Sequence, residues 1–324
     1  MKHVALGNTG VKVSALCLGT MYFGTTTDEN TSFQLLDQYV EAGGSFLDTA
    51  NCYAFWVEGG TGEESERLLG RWMQERKNRD QIFLATKVGS APDPDKGPNW
   101  PQNKEGLSAE VIEQAVEDSL NRLDTDYIDL YYTHALDKDT PLEETLKALD
   151  RLVKKGKARY IGASNLTAWR LERAKTISRA NQWAEYCCIQ QRHTYVRPKY
   201  GAEFAAGLQV CTNDDLLEYC IENPDVTLLA YSPLLSGAYT REDRPLPDEY
   251  NTPDTEVRIA ALKKVARELG ATLNQVVLAW MIQGTPTVIP LVAASTQKQL
   301  QENLGVLNVI LSREHLELLT KATG

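Results

Sequence analysis

Residues 44–53 read GSFLDTANCY: a short apolar run, an acid at its end in Asp48, and a phenol five residues later in Tyr53. The run is too short for a helix and is bounded by Gly and by polar residues, which is the signature of a buried strand. It is one of eight. SALCLGT, GSFLDTA, QIFLATK, YIDLYYTH, ARYIGASN, CCIQQRHTY, TLLAYSPL and TVIPLV recur along the chain, most of them rich in the β-branched or aromatic residues that suit buried parallel strands. Between them lie stretches with helical spacing, such as SAEVIEQAVEDSLNRL and PLEETLKALDRLVKKGK, which open on Ser or Pro with early acids and close on basic residues.

A strand and helix repeated eight times in 324 residues favours a closed (β/α)8 TIM barrel over an open doubly wound sheet. No G-x-G-x-x-G turn follows a strand, so a Rossmann half has no anchor. The expected fold is α/β: one barrel domain over residues 1–324, with an N-terminal β-hairpin around Asn8, Thr9 and Gly10 and extra helices at the C-terminus. Two Pro-, Gly- and charge-rich stretches, GSAPDPDKGPNWPQNKEGLS and REDRPLPDEYNTPDTE, follow predicted strands and are expected as loops over the barrel mouth.

Composition narrows the partners. A net charge of -10 offers no positive field for nucleic acid or an anionic membrane surface. No stretch approaches the roughly 18 apolar residues of a membrane span, and the N-terminus lacks the apolar centre of a signal peptide. The six cysteines show no Cys-x-x-Cys pair and no zinc-site spacing, so they read as reduced, mostly buried thiols of a cytoplasmic protein.

Polar residues at the C-terminal ends of barrel strands converge on one mouth. Asp48 ends the second strand with Tyr53 just beyond it, Lys87 ends the third, and His134 ends the fourth. Singly, Asp48 reads equally as a helix cap, Lys87 as an ion-pair partner and His134 as a core histidine. Their coincidence at three successive strand ends is not something packing requires. An ammonium beside the phenol lowers the Tyr53 pKa, Asp48 keeps Lys87 protonated, and His134 orients a carbonyl by hydrogen bonding. Such a set protonates a developing oxyanion while a nicotinamide delivers hydride, since no side chain can.

The motifs GTMYFG, DTANCY, ATK, YYTH, GASN, QQRHTY, AYSPL and QLQENLG run in order from Gly19 to Gly305. As a set they resemble the aldo-keto reductase superfamily, in the pattern of its bacterial and potassium-channel β-subunit-like branch. The resemblance implies a tetrad of Asp48, Tyr53, Lys87 and His134, with Tyr53 the proton donor in reduction. It also implies an extended NADP(H) across the mouth. Ser164, Asn165 and Gln190 would hold the carboxamide, and Tyr231 would stack on the ring. Gly19, Thr20, Met21 and Asp48 would lie beneath the cofactor. Ser232, Leu234 and Gly237 would follow the pyrophosphate, and Ala293, Ser295, Gln299, Glu302 and Asn303 would meet the adenosine end.

The chain departs from the common pattern at Ser295, where many relatives carry an arginine for the 2′-phosphate. Arg241 or Lys298 is the expected surrogate; NADPH is the expected cofactor and NADH stays open. Tyr22, Phe23, Phe55, Trp56 and Trp100 are expected to wall a site for a small neutral carbonyl or sugar-like substrate. Two rival readings remain: a Schiff-base aldolase using Lys87, and a cofactor-binding regulatory subunit with slow turnover. The oligomeric state is not legible.

Overall fold

The structure is a computed structural model that describes residues 1–204 and 207–323. A hairpin of β1 (His3–Ala5) and β2 (Lys12–Ser14) precedes the main sheet. Eight parallel strands then close into a barrel: β3 (Cys17–Gly19), β4 (Phe46–Asp48), β5 (Phe83–Val88), β6 (Ile128–Thr133), β7 (Ala158–Ser164), β8 (Tyr186–Arg192), β9 (Thr227–Tyr231) and β10 (Val288–Val292), with β10 pairing back onto β3. Every strand expected from sequence is present.

The connecting helices are α1 (Glu29–Glu41), α2 (Glu64–Arg76), α3 (Ala109–Leu123), α4 (Leu142–Lys154), α5 (Ala168–Asn181), α6 (Asp214–Glu222), α7 (Pro253–Leu269) and α8 (Leu273–Gln283), followed by α9 (Gln297–Leu304) and α10 (Arg313–Lys321). Their starts obey capping chemistry. Ser108 accepts the Val111 amide ahead of α3, and Thr272 with Gln275 forms a reciprocal capping box at α8. No helix among the described residues is long and apolar enough to cross a membrane.

Two apolar clusters hold the layers. One fills the barrel interior with Phe46, Leu130, Tyr132, Cys188 and Ile289, joined from below by Leu6 and Val13 of the hairpin. The other lies between strands and helices and includes Leu18, Tyr39, Trp72 and Leu84. Phe23, expected in the substrate wall, belongs to this second cluster and is 2% exposed. Its ring turns inward because the turn after β3 folds back, with the Phe23 amide donating to Thr20 O at 2.9 Å.

The strand that carries Asp48 is only three residues long, and α1 braces it. The Tyr39 hydroxyl lies 2.6 Å from Leu16 O and 3.0 Å from Phe46 O, and accepts the Phe46 amide at 3.3 Å. Its ring fills the space that a Cβ on Gly44 would need. Tyr39→Phe keeps that packing and strips the buried polar groups of their partner, so it should cost about 1–3 kcal/mol. Urea denaturation measures it, and an unchanged midpoint would show that the hydroxyl does not brace β3 against β4.

Candidate active site

Strand register brings the mouth residues together. Asp48 is the last residue of β4 and pairs with Ala85, which sets Lys87 two residues further along β5. Lys87 in turn pairs with Tyr132, so His134 follows just past the end of β6. Asp48 and Lys87 are both fully buried and form an ion pair. The lysine also donates to Thr49 O at 2.8 Å and to the Tyr53 hydroxyl at 2.7 Å. Three acceptors around Nζ describe an ammonium with all its donors engaged. That is the opposite of the free amine a Schiff-base enzyme needs, and it weighs against the aldolase reading.

The phenol lies 3.3 Å from Asp48 Oδ1, and its ring meets His134 edge to face at 5.8 Å. The expectation of a lowered Tyr53 pKa needs correction. Burial pushes the phenol well above its ordinary value, and the charge of Asp48 adds to the rise, because a phenolate there would be partly withdrawn from water and beside a carboxylate. Tyr53 is therefore held protonated, the form a proton donor requires. The Lys87 contact at 2.7 Å is what favours the anion once the proton leaves.

Further strand ends contribute amides. Gln190 of β8 donates Nε2 to Asp48 Oδ2 at 2.8 Å, and its Oε1 has no hydrogen-bond partner among the described residues. Ser164 of β7 donates to Gln190 O at 2.8 Å. Asn165 adopts a left-handed φ of 58° just past β7; it donates to His134 O at 2.9 Å and accepts from the Tyr231 hydroxyl at 2.7 Å. It thus ties β6, β7 and β9 together at the mouth. Thr20 is wholly buried, with its hydroxyl 2.8 Å from that of Ser65. Gly19 is close-packed: a Cβ there would stand 2.5 Å from the Leu291 side chain. Met21 is half-buried beside them.

After β9 the chain takes an unusual course. Ser232, Leu235, Ser236 and Gly237 all have positive φ, and Leu234, between the first two, has φ -108°. A right-handed residue followed by a left-handed one turns successive N–H groups toward a common anion. Arg241 crosses Gly237, where a Cβ would meet its Cδ at 2.9 Å, and its guanidinium grips Asp243 at 3.0 and 2.5 Å. On α9, Gln299 accepts from Ser295 N and Oγ at 2.8 and 3.0 Å, Glu302 accepts from Asn274 at 3.1 Å, and Asn303 donates to Ala293 O at 3.3 Å.

The aromatic residues after β3, β4 and β5 form a chain of edge contacts. Tyr22 meets Trp56 at 6.4 Å, Trp56 meets Phe55 at 5.1 Å, and Phe55 meets Trp100 at 5.5 Å. Trp56 is 50% exposed and Tyr22 37%, which leaves aromatic surface open at the mouth. Sequence reasoning missed Thr49, whose contribution is a backbone carbonyl, and Glu105, which a long loop returns to the mouth. Five cysteines are buried, and none of the six forms a disulfide among the described residues.

His134 is placed to stay neutral. Burial, reinforced by the Lys87 charge, lowers its pKa to about 3. In an NMR titration of the histidines, the resonance lost in His134→Asn should show no midpoint above about pH 5; one near the ordinary value of about 6.5 would overturn the reading. An unfolded His134 takes up a proton below about pH 6.5 and the folded one does not until far lower. Its contribution to stability is thus complete above that value and is lost progressively as pH falls.

Nearly the whole chain is similar to known proteins. Residues 15–323 match the model of the aldo/keto reductase family. An uncharacterized oxidoreductase of Bacillus subtilis is 30% identical, covering 98% of this chain and 95% of that protein. A norsolorinic acid reductase of Emericella nidulans is 32% identical over 95% of this chain and 77% of its own length. An aryl-alcohol dehydrogenase [NADP(+)] of Phanerodontia chrysosporium is 32% identical over 96% and 82%. Among solved structures, a thermostable aldo-keto reductase in complex with the inhibitor epalrestat superposes with a TM-score of 0.74, at 30% identity and 98% coverage of both chains.

Proposed function

Because the chain belongs to the aldo/keto reductase family, we propose that it is an NADP(H)-dependent reductase of aldehydes and ketones, with flat aromatic carbonyl compounds as its favoured substrates. The observation that carries this reading is the Lys87 ammonium, held by Asp48 and Thr49 O and directed at the Tyr53 phenol with His134 alongside.

The residues at the mouth suit a nicotinamide dinucleotide. Gln190 has its Nε2 committed to Asp48, so Oε1 is the acceptor it offers a carboxamide. The Leu234–Leu235 turn, in which Leu235 N already donates to Ser232 O at 3.2 Å, offers the N–H groups of Leu234 and Ser236 to a pyrophosphate, and the Tyr231 ring supplies an aromatic face. Ser164, Asn165, Gly19, Thr20 and Met21 would line the floor, with Ser232 and Gly237 along the turn. Ser295, Gln299, Glu302, Asn303 and Ala293 would receive the adenosine end. Arg241 would carry the charge for a 2′-phosphate through the part of its guanidinium that Asp243 leaves open. NADPH is preferred on that ground, and the NADP(+) in the name of the aryl-alcohol dehydrogenase relative points the same way. A bound reduced nicotinamide supplies the hydride to the carbonyl carbon.

The protein's own groups handle the proton. Neutral His134 donates a hydrogen bond to the carbonyl oxygen and fixes its direction. Tyr53 gives its proton to that oxygen as negative charge builds there. Lys87 then hydrogen-bonds the phenolate, while the buried charge of Asp48 keeps the ammonium from being an uncompensated cation. Trp56, Tyr22, Phe55 and Trp100 exclude water from one side and present ring surface to the substrate. The names of the norsolorinic acid reductase and the aryl-alcohol dehydrogenase suit an aromatic substrate. The unpaired thiols suit a reducing cytoplasm.

Tryptophan fluorescence should be quenched saturably by NADPH, and more weakly by NADH. With NADPH, substituted benzaldehydes should be reduced with higher kcat/KM than aliphatic aldehydes of similar size. Tyr53→Phe should keep the cofactor affinity and lower kcat by at least about a hundredfold, the scale of a general acid. Full turnover in Tyr53→Phe would remove the phenol from the reaction. Tight NADPH binding with no turnover of any carbonyl would mark a regulatory subunit instead.

A further inference from the structure

We propose that Glu105 is a positioning residue for the reaction: its carboxylate clamps the loop that carries the Tyr53 phenol to the end of the strand that carries the Lys87 ammonium. The inference rests on the reductase reading only for its kinetic consequence; the clamp itself has an independent readout.

The problem the clamp solves is geometric. Tyr53 OH and Lys87 Nζ stand 2.7 Å apart, but only Lys87 is on a strand: β4 ends at Asp48, so the phenol hangs on five residues of loop. Two backbone bonds tether that loop to β5, from Thr49 N to Ala85 O at 2.9 Å and from Asn51 N to Lys87 O at 3.2 Å. Beyond them the loop leaves the barrel, and Ala54 is left-handed at φ 66°.

Glu105 supplies the missing tie. A single oxygen, Oε1, accepts Asn51 Nδ2 at 2.9 Å, Gly89 N at 2.6 Å and Ala91 N at 3.2 Å. Asn51 lies two residues before Tyr53, and Gly89 two residues after Lys87. One atom therefore joins the two segments whose separation sets the phenol-to-ammonium distance. The loop that delivers Glu105 is itself braced. Glu105 N donates to Ala91 O at 2.8 Å, Asp93 N to Asn103 O at 2.7 Å, and Lys96 Nζ to Glu105 O at 2.6 Å.

The chemistry of the contact argues against an incidental loop anchor. No Lys, Arg or His forms an ion pair with Glu105 among the described residues, although the chain forms such pairs freely elsewhere. Burial pushes the carboxyl up, while its N–H donors, and after them the charge of Arg122, which forms no ion pair with it, favour the charged form. A carboxylate taken out of water without a cation is unfavourable unless N–H groups replace the hydration. Charge-assisted bonds to two backbone amides and a side-chain amide do so, and they are stiffer than neutral ones. Catalysis by the phenol depends on that stiffness, because small displacements between reacting groups cost large factors in rate.

The test uses Glu105→Ala, Glu105→Gln, Asn51→Ala and the Glu105→Ala/Asn51→Ala double variant, each read two ways. The first is kcat for benzaldehyde reduction, alongside NADPH affinity from tryptophan quenching. Glu105→Ala and Asn51→Ala should each lower kcat by about tenfold or more with cofactor affinity within about twofold. The double variant should be little worse than either single, because both remove the same tie. Glu105→Gln keeps an oxygen acceptor but not its charge, so its kcat should fall between Glu105→Ala and the wild type. The second reading needs no activity. Cys52, between Asn51 and Tyr53, is 3% exposed. Its alkylation by iodoacetamide, followed by peptide mass spectrometry, should speed up about tenfold in Glu105→Ala and Asn51→Ala and by less in Glu105→Gln.

Wild-type kcat in Asn51→Ala, or additive losses in the double variant, would overturn the clamp, as would unchanged Cys52 protection in both alanine variants. If Glu105→Ala does not fold, Asn51→Ala and Glu105→Gln decide. If the wild-type protein reduces no carbonyl, the reductase reading falls, and Cys52 protection alone then supports or removes the clamp.

Discussion

The ion pair of Lys87 and Asp48 is the constraint on which the mouth of this barrel is built. Both side chains are sealed from solvent, and a pair in that position is tolerable only when every remaining donor and acceptor is satisfied. The surroundings meet that condition in full: Thr49 O and the Tyr53 hydroxyl complete the ammonium, and Gln190 Nε2 completes the carboxylate. The same satisfaction fixes the lysine as a donor to the Tyr53 hydroxyl. Structure and chemistry are here one requirement.

From that pair the order spreads around the rim. Gln190 reaches Asp48 from the far side of the barrel, Ser164 holds the Gln190 carbonyl, and Asn165 joins the His134 carbonyl to the Tyr231 hydroxyl. A closed barrel makes this possible because every strand end is a neighbour of the mouth, whereas an open sheet would leave its edges apart. The left-handed conformation of Asn165 is sustained by four hydrogen bonds of its side-chain amide. Rigid amides on one side and half-open aromatic rings on the other divide the mouth into a polar half and an apolar half.

Charge is distributed to match. The chain is acidic overall, yet the turn after β9 carries Arg241 close against Gly237. The guanidinium is shared with Asp243, and Ser295 is turned onto Gln299, so the outer end of the mouth holds its polar groups in local pairs. Exposed pairs of this kind are weak and exchange readily for a stronger anion. The inner pair of Lys87 and Asp48 has no such freedom.

Much of this was written in the order of residues. Eight short apolar runs, most of them closed by a polar residue, announced eight strands, and period and length alone sufficed because a buried parallel strand has few other ways to be spelled. Asp48, Lys87 and His134 were legible for the same reason: a polar residue at the end of an apolar strand has only the mouth to face. Tertiary structure decided what depends on distance in space. It turned Phe23 into the core, raised the Tyr53 phenol by burying it beside Asp48, and committed the Arg241 guanidinium to Asp243. It also returned Glu105 from a loop of some twenty residues to meet Asn51 and Gly89. Local pattern reports which face and which end of an element a residue occupies. It is silent on which distant loop folds over that end, and on how dry the resulting site becomes, because both follow from contacts between residues far apart in the chain.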